Sequence, residues 1–432
     1  MSATRMPRGG VKWVGLDVAR DAIAVGVLDG PSESAPRMEK VAHDEVSIRR
    51  LVTRLGEPSR LRVCYEAGPT GYELYRLLMS MRVACDVIAP SLVPVAGGEK
   101  VKTDRRDARR LVRLYRAGEL VTVRVPTHKE EGCRDLCRLR GAAVFDRSRA
   151  RQRLASFLLR RHLVYREGTT WTLKHRRWLR SLSFDDAGAH ATFAHLLASV
   201  EERELRVSAI EADLAGFFER DLFVEQVARL AAYRGIDQLS ALGLASEVCD
   251  WRRFPTPAKF MGFVGLVPSE YSTGASTSRY GITKAGNAHV RHTLIEAAWA
   301  YQYPARVSPE LQRRHQGLPP DVVARAWAAQ VRLCGRFQRL AARKDRRTVV
   351  ATAVPGRPRA YVSENSPRRC ARIVFAKWAV PKHEGLARPD RRRRSPKFTP
   401  TRSLGRLLVR SHLVGRRGSP HVWLVSRPHS SE

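Results

Sequence analysis

Apolar runs separated by short polar turns occupy the first part of the chain. Residues 11–28, VKWVGLDVARDAIAVGVL, predict two strands joined by a tight polar turn. Residues 60–67 and 84–90 predict two more strands, and the pattern at 71–81 predicts a helix between them. Strands that alternate with helices indicate an α/β sheet with mainly parallel pairing in its second half. This first domain is expected to close near residues 121–126.

The next part of the chain has a helical rather than a strand period. Residues 128–163 predict one long basic helix, and residues 187–230 a second helix that suits an antiparallel partner or a coiled coil. The apolar stripe of the first helix consists of Leu136, Leu139, Val144 and Leu154. Between the helices, Trp171 and Trp178 stand among basic residues, which fits either a hairpin tip with partly buried aromatics or stacking on nucleic acid.

Residues 230–353 predict a third, compact region. Within it, residues 233–248 predict a helix, a glycine turn and a helix that could hold a phosphate backbone through amides. The stretch YSTGASTS, residues 271–278, has the composition of a flexible polar loop, and GITKAGN, residues 281–287, is a glycine-punctuated loop that leads into a helix. Residues 354–432 are rich in Pro, Arg and Ser without a sustained period, so we expect a basic, disordered tail.

The charge of the chain indicates a polyanionic partner. The 432 residues include 78 Lys and Arg against 42 Asp and Glu, a formal charge of +36, for which nucleic acid is the usual explanation. An anionic membrane is the rival, but no apolar run approaches the roughly 20 residues of a spanning helix. Cys133 and Cys137 form a single CxxxC without a second pair at zinc spacing, so they are expected to be helical thiols. We therefore expect a cytoplasmic protein associated with the nucleoid and without a membrane partner.

Two aspartates stand inside a strongly basic segment, KTDRRDARR. The downstream pattern predicts a helix that begins near Thr103, so Asp104 and Asp107 would share one face of its first turn. Helix capping is the simplest explanation, with Thr103 or Asp104 as the N-cap and the helix dipole favouring acidic residues. The positions of two other carboxylates favour a different explanation.

Asp17 and Glu66 end two of the predicted strands. Ligands in open α/β sheets gather beyond the carboxyl ends of strands, so these two residues and the Asp104/Asp107 pair are expected to converge. Four carboxylates would repel one another unless divalent cations lay between them. One or two Mg²⁺ ions, roughly 3.5–4 Å apart when paired, would serve reactions at a phosphodiester. Taken singly, Asp17 fits a turn residue and Glu66 a helix-entry residue.

The order of these acids resembles a known family. Asp17, Glu66 and then the aspartates of KTDRRDA are similar to the motif of the DEDD-type insertion-sequence transposases, also known as bridge-RNA-guided recombinases. GLDVARD, CYEAGPTGYEL and DVIAPSLVPVAG extend the resemblance over residues 11–126, and residues 260–298 resemble the second domain of that family.

The resemblance implies an α/β RNase H-like (RuvC-like) domain, then a long helical coiled-coil region and a mainly α-helical transposase domain. The implied divisions are a catalytic domain at 1–126, a basic helical region at 127–229, a serine-bearing domain at 230–353 and the tail at 354–432.

The resemblance also implies a catalytic serine in the loop before ITKAGN, just ahead of a glycine. Here Thr273 directly precedes Gly274 and Ser272 lies one residue earlier. Ser272 is favoured because a primary hydroxyl is less hindered than that of a β-branched threonine. Thr273 remains a candidate, and Ser276 and Ser278 are weaker ones. Expected contacts to phosphate or to the loop come from Arg279, Lys284, Asn287 and Arg291.

In the mechanism implied by the resemblance, the serine attacks a DNA phosphate and forms a covalent link while Mg²⁺ at the carboxylates polarises that phosphate. The partners implied are donor and target DNA and a guide RNA that selects both by base pairing. Since hydroxyl and carboxylates lie in different domains, the site could be completed between protomers, which implies a dimer or tetramer.

Three other functions fit parts of the sequence. GLDVARDAIAVGVLDG could open an actin-like sugar kinase, but such an enzyme has no use for the Asp104/Asp107 pair or for the charge of +36. A RuvC-like junction endonuclease would hydrolyse DNA with water and need no serine. A non-catalytic nucleic-acid binder would use the acids as helix caps.

Overall fold

The computed structural model of the chain describes residues 10–30, 35–94, 103–219, 223–273, 276–344 and 346–355, without the side chains of residues 219 and 270–280. Almost all of the predicted tail, from residue 356 onward, lies outside the described residues. No helix in the described part of the chain is both long and apolar enough to cross a membrane.

Six strands form a mixed sheet in the first domain. They are β1 (Lys12–Val18), β2 (Ala22–Asp29), β3 (Arg37–Ala42), β4 (Leu61–Glu66), β5 (Ala84–Ile88) and β6 (Thr122–Val123). The strand order is β3-β2-β1-β4-β5-β6. The pairs β1–β4 and β4–β5 are parallel and the other pairs are antiparallel, so the predicted parallel part of the sheet is its centre.

Helices cover both faces of this sheet. The helices of this domain are α1 (Glu45–Leu55), α2 (Glu73–Ser80) and α3 (Asp104–Ala117). On one face, α1 and α2 pack against residues such as Val14 and Leu16 of β1. On the other, Leu111 and Tyr115 of α3 pack against Cys64 of β4. Strand β3 and helix α1 were not predicted, although Asp44 caps α1 and its Ile48, Leu51, Val52 and Leu55 form a buried helical stripe.

Two long helices form an antiparallel pair after the sheet. The segment contains α4 (His128–Leu159), α5 (Leu173–Arg180) and α6 (Ala187–Glu219). Arg140, early in α4, pairs with Glu211, late in α6, and Arg151 pairs with Glu204, which fixes the antiparallel direction. Thr127 and Glu130 close a capping box that starts α4.

The predicted apolar stripe of α4 is partly wrong. Leu154 is buried, but Leu139 is 42% exposed. The buried positions of α4 include Cys133, Ala143 and Ala150, so small residues that let α6 approach closely, rather than leucines, mark its packing face. Leu139 is in phase with Ala143 and Ala150 on a period of 3.6, so the helical period alone does not explain its exposure.

The tip of this helix pair holds the two tryptophans. The guanidinium of Arg151 lies 4.5 Å from the centre of the Trp171 ring. The Trp178 ring stacks on His175 at 5.6 Å. Both tryptophans pack against the small core that α4, α5 and α6 form at the tip, as the hairpin-tip interpretation predicts.

A second large core joins the remaining helices to the base of that pair. These helices are α7 (Val224–Ala231), α8 (Gln238–Val248), α9 (Pro257–Val264), α10 (Ala288–Ala298), α11 (Pro309–His315), α12 (Pro320–Ala341) and α13 (Arg347–Ala353). Cys133 of α4 and Leu214 of α6 are buried in this same core. Between α9 and α10, β7 (Pro268–Thr273) and β8 (Ser276–Ile282) pair antiparallel, so the predicted polar loop is a β-hairpin over most of its length.

Two paired glycines let α3 lie directly on the sheet. Gly15 of β1 faces Gly26 of β2 in the strand register. A Cβ at Gly15 would lie 2.6 Å from the Val112 amide nitrogen and 2.9 Å from the Ala108 carbonyl oxygen. Both are backbone atoms, so α3 itself would have to move. The close approach therefore fixes where the first turn of α3 meets the strand ends.

Gly15→Ala is expected to destabilise the chain by about 1–3 kcal/mol, because the added methyl group overpacks a contact with helix backbone. Urea unfolding of the two proteins measures this difference. Gly141→Ala, in α4, is the matched control, since a Cβ added at Gly141 would have no neighbouring atom within 4 Å. That change is expected to stabilise the helix by about 0.5–1 kcal/mol. A Gly15→Ala protein as stable as wild type would contradict the close contact.

Candidate active site

Two carboxylates lie at the carboxyl ends of adjacent parallel strands: Asp17 is the next-to-last residue of β1 and Glu66 is the last residue of β4. Leu16 of β1 pairs with Tyr65 of β4, and Asp17 and Glu66 are the next residues of each strand. Side chains alternate between the faces of a sheet. Since Gly15 and Cys64 lie under α3, Asp17 and Glu66, two residues further on, lie on the α3 face as well.

Helix α3 brings a third carboxylate to these strand ends. Thr103 is the N-cap, accepting a hydrogen bond from the Arg106 amide, and Gly118 ends the helix with a positive φ of 74°. Asp107 is only 9% exposed, whereas Asp104, one turn earlier, is exposed. We refer to Asp17, Glu66 and Asp107 as the carboxylate edge. Because Thr103 caps the helix, neither aspartate is needed as the N-cap.

One arginine lies between two members of the carboxylate edge. The Nη2 atom of Arg110 is 3.3 Å from Asp107 Oδ1 and 4.0 Å from Glu66 Oε1. The Arg110 side chain is about three-quarters buried, so its charge is only partly screened by solvent. Helix and strand carboxylates are thus arranged around a single positive charge.

The donors of this edge fit a divalent cation in kind. Carboxylate oxygens are the ligands that Mg²⁺ prefers, and three of them come from separate, rigid elements. Within the described residues, however, no three His, Cys, Asp or Glu side chains surround one point. Arg110 supplies the positive charge between Glu66 and Asp107 instead. A cation shared by these carboxylates would therefore replace the guanidinium.

The predicted nucleophiles lie on the β7–β8 hairpin. In its register Ser272 pairs with Thr277 and Thr273 with Ser276, so the two candidate hydroxyls are at the end of β7. The backbone alone places these residues, because the side chains of residues 270–280, including Ser278 and Arg279, lie outside the description. Which hydroxyl reacts stays a prediction, as does the role of Arg279.

The glycine-punctuated motif packs against the end of α9 at the base of this hairpin. Gly265 ends α9 with φ 69°, and Gly286 has φ 89° in the loop before α10. A Cβ at Gly265 would lie 2.0 Å from the Ala285 carbonyl oxygen, and one at Gly286 would lie 2.1 Å from that of Phe263. The Asn287 amide donates to the Phe263 carbonyl over 2.7 Å. The two backbone segments can approach this closely only because both positions lack a side chain.

Three of the residues predicted to contact phosphate or the loop have described side chains at this base. The Asn287 side chain accepts from the Val290 amide, which caps α10, and donates to Glu247. Arg291 donates to the Val264 carbonyl at 2.7 Å. Lys284 is exposed. Asn287 and Arg291 therefore already hold the loop in position, and contact of these residues with phosphate stays a prediction.

A buried carboxylate behind the hairpin was not predicted. Glu247 of α8 has a side chain only 4% exposed. It accepts two hydrogen bonds from Arg138 of α4, at 2.7 and 3.0 Å, and one from Asn287, at 2.7 Å. Burial raises the pKa of Glu247, but the Arg138 and Asn287 hydrogen bonds outweigh it, so the net pKa is lowered. The sequence signal was a lone glutamate in the otherwise apolar stretch around α8.

Comparison with known proteins gives consistent matches over both parts of the chain. Residues 14–162 match the DEDD-type transposase model of the IS110 group, and residues 227–316 match the model described as "Transposase IS116/IS110/IS902 family". The y4qE protein of Sinorhizobium fredii is 41% identical over 344 residues, which cover 79% of this chain and 85% of that protein. The transposase for insertion sequence element IS1533 of Leptospira borgpetersenii is 33% identical over 341 residues, 76% of this chain and 96% of the relative.

Proposed function

The chain belongs to the IS116/IS110/IS902 family of insertion-sequence transposases, enzymes that act on DNA, and from this premise we propose that it breaks and rejoins DNA strands through a serine–DNA intermediate. The carboxylate edge, with Asp104, would hold one or two Mg²⁺ ions, and Ser272 would be the nucleophile. The observation that carries the proposal is the arrangement of Glu66 and Asp107 around one positive charge at a strand end.

The residues of the chain have separate parts in this reaction. Mg²⁺, when bound, would polarise the scissile phosphate and stabilise the leaving oxygen. The Ser272 Oγ forms a bond to phosphorus as the bond to the leaving DNA oxygen breaks. The serine proton passes to solvent and the leaving oxygen takes up a proton. A second DNA hydroxyl then reverses the step at the same phosphorus, so strands are exchanged without hydrolysis.

The proposal extends to the partners and the domain divisions. Donor and target DNA would be selected by a guide RNA whose base pairing supplies the sequence specificity. The three boundaries at residues 126/127, 229/230 and 353/354 would separate a catalytic domain, a helical region, a serine-bearing domain and the basic tail, with α4 and α6 acting as a coiled coil. Because Ser272 and the carboxylate edge belong to different divisions, a dimer or tetramer could complete the site between protomers.

A covalent trapping assay tests the proposed reaction. The full chain, with and without RNA transcribed from the flank of its element, is mixed with labelled donor and target DNA and Mg²⁺ and resolved on a denaturing gel. We expect an adduct that Ser272→Ala and Asp107→Asn both lose and that Ser278→Ala, which removes a weaker candidate hydroxyl, retains. Loss in Thr273→Ala instead would move the nucleophile by one residue. Cleaved DNA without an adduct would make the protein a hydrolytic, RuvC-like endonuclease.

A mixing experiment tests the composite site. Ser272→Ala and Asp107→Asn proteins, each inactive alone, are combined before DNA is added. Recovery of the adduct would support a site shared between protomers, since each inactive protein supplies the group that the other lacks. If the mixture remains as inactive as its components, the site is completed within one chain.

A further inference from the structure

The arginines of the α4–α6 pair fall into two groups. Two that face inward have carboxylate partners on α6: Arg140 pairs with Glu211 and Arg151 with Glu204. Arg149 and Arg153 lie on the opposite, exposed side of α4, and no ion pair of theirs occurs within the described part of the chain. The acids of α6 therefore neutralise the inner side of α4 and leave the outer side positive.

The outer side of α4 also carries an exposed aromatic ring. Phe145 is 61% exposed, and the guanidinium of Arg149, one turn further on, lies 5.8 Å from its centre. Phe145, Arg149 and Arg153 follow a spacing of four residues, which places them on neighbouring turns of one helix face. Between Asp146 and Glu167 the chain contains seven arginines and no carboxylate. Asp146, directly after Phe145, is the one acidic residue close to the ring, so the charges around the ring are mainly positive.

We propose that this face of α4 is a stacking platform for single-stranded nucleic acid, with Phe145 against a base and Arg149 and Arg153 against the flanking phosphates. A phenyl ring has no hydrogen-bonding group, so it stacks on any base that is not already stacked in a duplex. The two guanidinium groups, which lack carboxylate partners here, supply the charge that phosphates require. The platform is separate from the carboxylate edge and from the β7–β8 hairpin.

Charge argues against a second copy of the chain on this face. An exposed phenylalanine is a common anchor of protein interfaces. Two copies meeting at Phe145 would, however, bring two Arg149 and two Arg153 side chains together with only the two Asp146 carboxylates to offset them, and the surplus of like charge opposes association. A polyanion with exposed bases matches both the ring and its surroundings.

Fluorescence anisotropy with the full chain tests the platform. The probes are 20-nucleotide dT and U oligomers and a 20-base-pair DNA duplex. We expect Phe145→Ala to weaken single-strand binding by about 5- to 100-fold, as the loss of one stacked base predicts, and duplex binding by less than about twofold. Phe145→Trp should restore it. Leu205→Ala, which truncates a side chain 72% exposed on α6, is the matched control and should leave all three affinities unchanged.

The salt dependence of binding tests the roles of Arg149 and Arg153. The double variant Arg149→Gln/Arg153→Gln should lower the slope of log affinity against log salt by about 1.4 for the single strands, since each neutralised phosphate contributes about 0.7. A loss confined to dT or to U would identify DNA or RNA as the natural strand. Unchanged single-strand affinity in Phe145→Ala, or an equal loss for the duplex, would overturn the proposal. A fall in molar mass of Phe145→Ala by light scattering, with binding retained, would instead make this face a protein interface.

Discussion

Replacing Asp107 by asparagine is expected to lower the rate of DNA strand cleavage at least about 10³-fold while the chain still folds. The Asp107 carboxylate is nearly buried and shares the Arg110 guanidinium with Glu66. An amide of the same shape carries no charge, so its oxygen holds a divalent cation together with Glu66 much more weakly than the carboxylate does. Single-turnover cleavage of labelled donor DNA, at saturating Mg²⁺ and again at saturating Mn²⁺, measures the loss.

Asp86→Asn is the matched control for this change. Asp86 is in the same sheet, on β5, and its carboxylate accepts a hydrogen bond from the Tyr115 hydroxyl at 2.6 Å. An asparagine oxygen can still accept that bond, so cleavage should remain near the wild-type rate. The free energy of unfolding of Asp107→Asn should fall by about 1–3 kcal/mol, because a mostly buried ion pair with Arg110 is replaced by a contact with a neutral amide.

The variant Asp104→Asn tests whether the site contains four carboxylates or three. It lies exposed on the first turn of α3, one turn before Asp107. If Asp104→Asn loses cleavage to the same extent as Asp107→Asn, the start of α3 takes part in the site. Wild-type cleavage in Asp104→Asn would restrict the site to the carboxylate edge. Wild-type cleavage in Asp107→Asn would contradict the proposed role of the edge altogether.

The strand-end carboxylates could be predicted because their signals are local. Asp17 and Glu66 each end an apolar run, and the carboxyl ends of neighbouring parallel strands meet at one edge of a sheet. The burial of Asp107 could also be inferred, since it shares a helix face with Leu111. The position of Arg110 could not. An arginine three residues from an aspartate fits a solvated helix surface equally well, and only the approach of α3 to β4 decides between them.

The β7–β8 hairpin shows where local patterns fail. Its residues, mostly Ser, Thr and Gly, have the composition of a loop, and no alternation of apolar and polar residues marks a strand. The pairing is supported from outside the hairpin, by the contact of Gly265 with Ala285 and of Gly286 with Phe263. Such contacts join segments about twenty residues apart, so neither segment reveals them alone.

The burial and ion pair of Glu247 could not be predicted for a related reason. Its main partner, Arg138, is 109 residues away in the chain, and a long-range ion pair leaves no periodic signal in either segment. The lone acid of α8 could only have been marked as unusual. In the fold it connects α4, α8 and the start of α10 at one point, which makes it a structural link between the long helix pair and the loop that bears the hairpin.

Glu247→Ala is expected to destabilise the chain by about 2–4 kcal/mol. Removing one partner of a fully buried ion pair typically costs about 3–5 kcal/mol, and the cost is reduced here because the Arg138 side chain is 43% exposed and can be rehydrated. Asn287 would lose its acceptor as well, which loosens the loop before α10. Equilibrium unfolding in urea at neutral pH measures the difference from wild type.

The pH dependence distinguishes loss of an ion pair from loss of packing. Because the pKa of Glu247 is lowered in the folded chain, its charge stabilises the fold fully above the ordinary glutamate pKa of about 4.3, and this contribution disappears as the pH falls through the lower, folded value. Wild type and the near-isosteric Glu247→Gln should therefore differ at pH 7, and the difference should shrink as the pH falls from about 4.3 through the lower, folded pKa of Glu247. For Glu247→Ala the matched control is Glu211→Ala. This change removes an ion pair with Arg140 whose side chains are about one-third exposed, and it should destabilise the chain by no more than about 1 kcal/mol. Equal losses for the two alanine variants, or a Glu247→Gln difference that persists unchanged at low pH, would show that the buried charge does not hold these helices together.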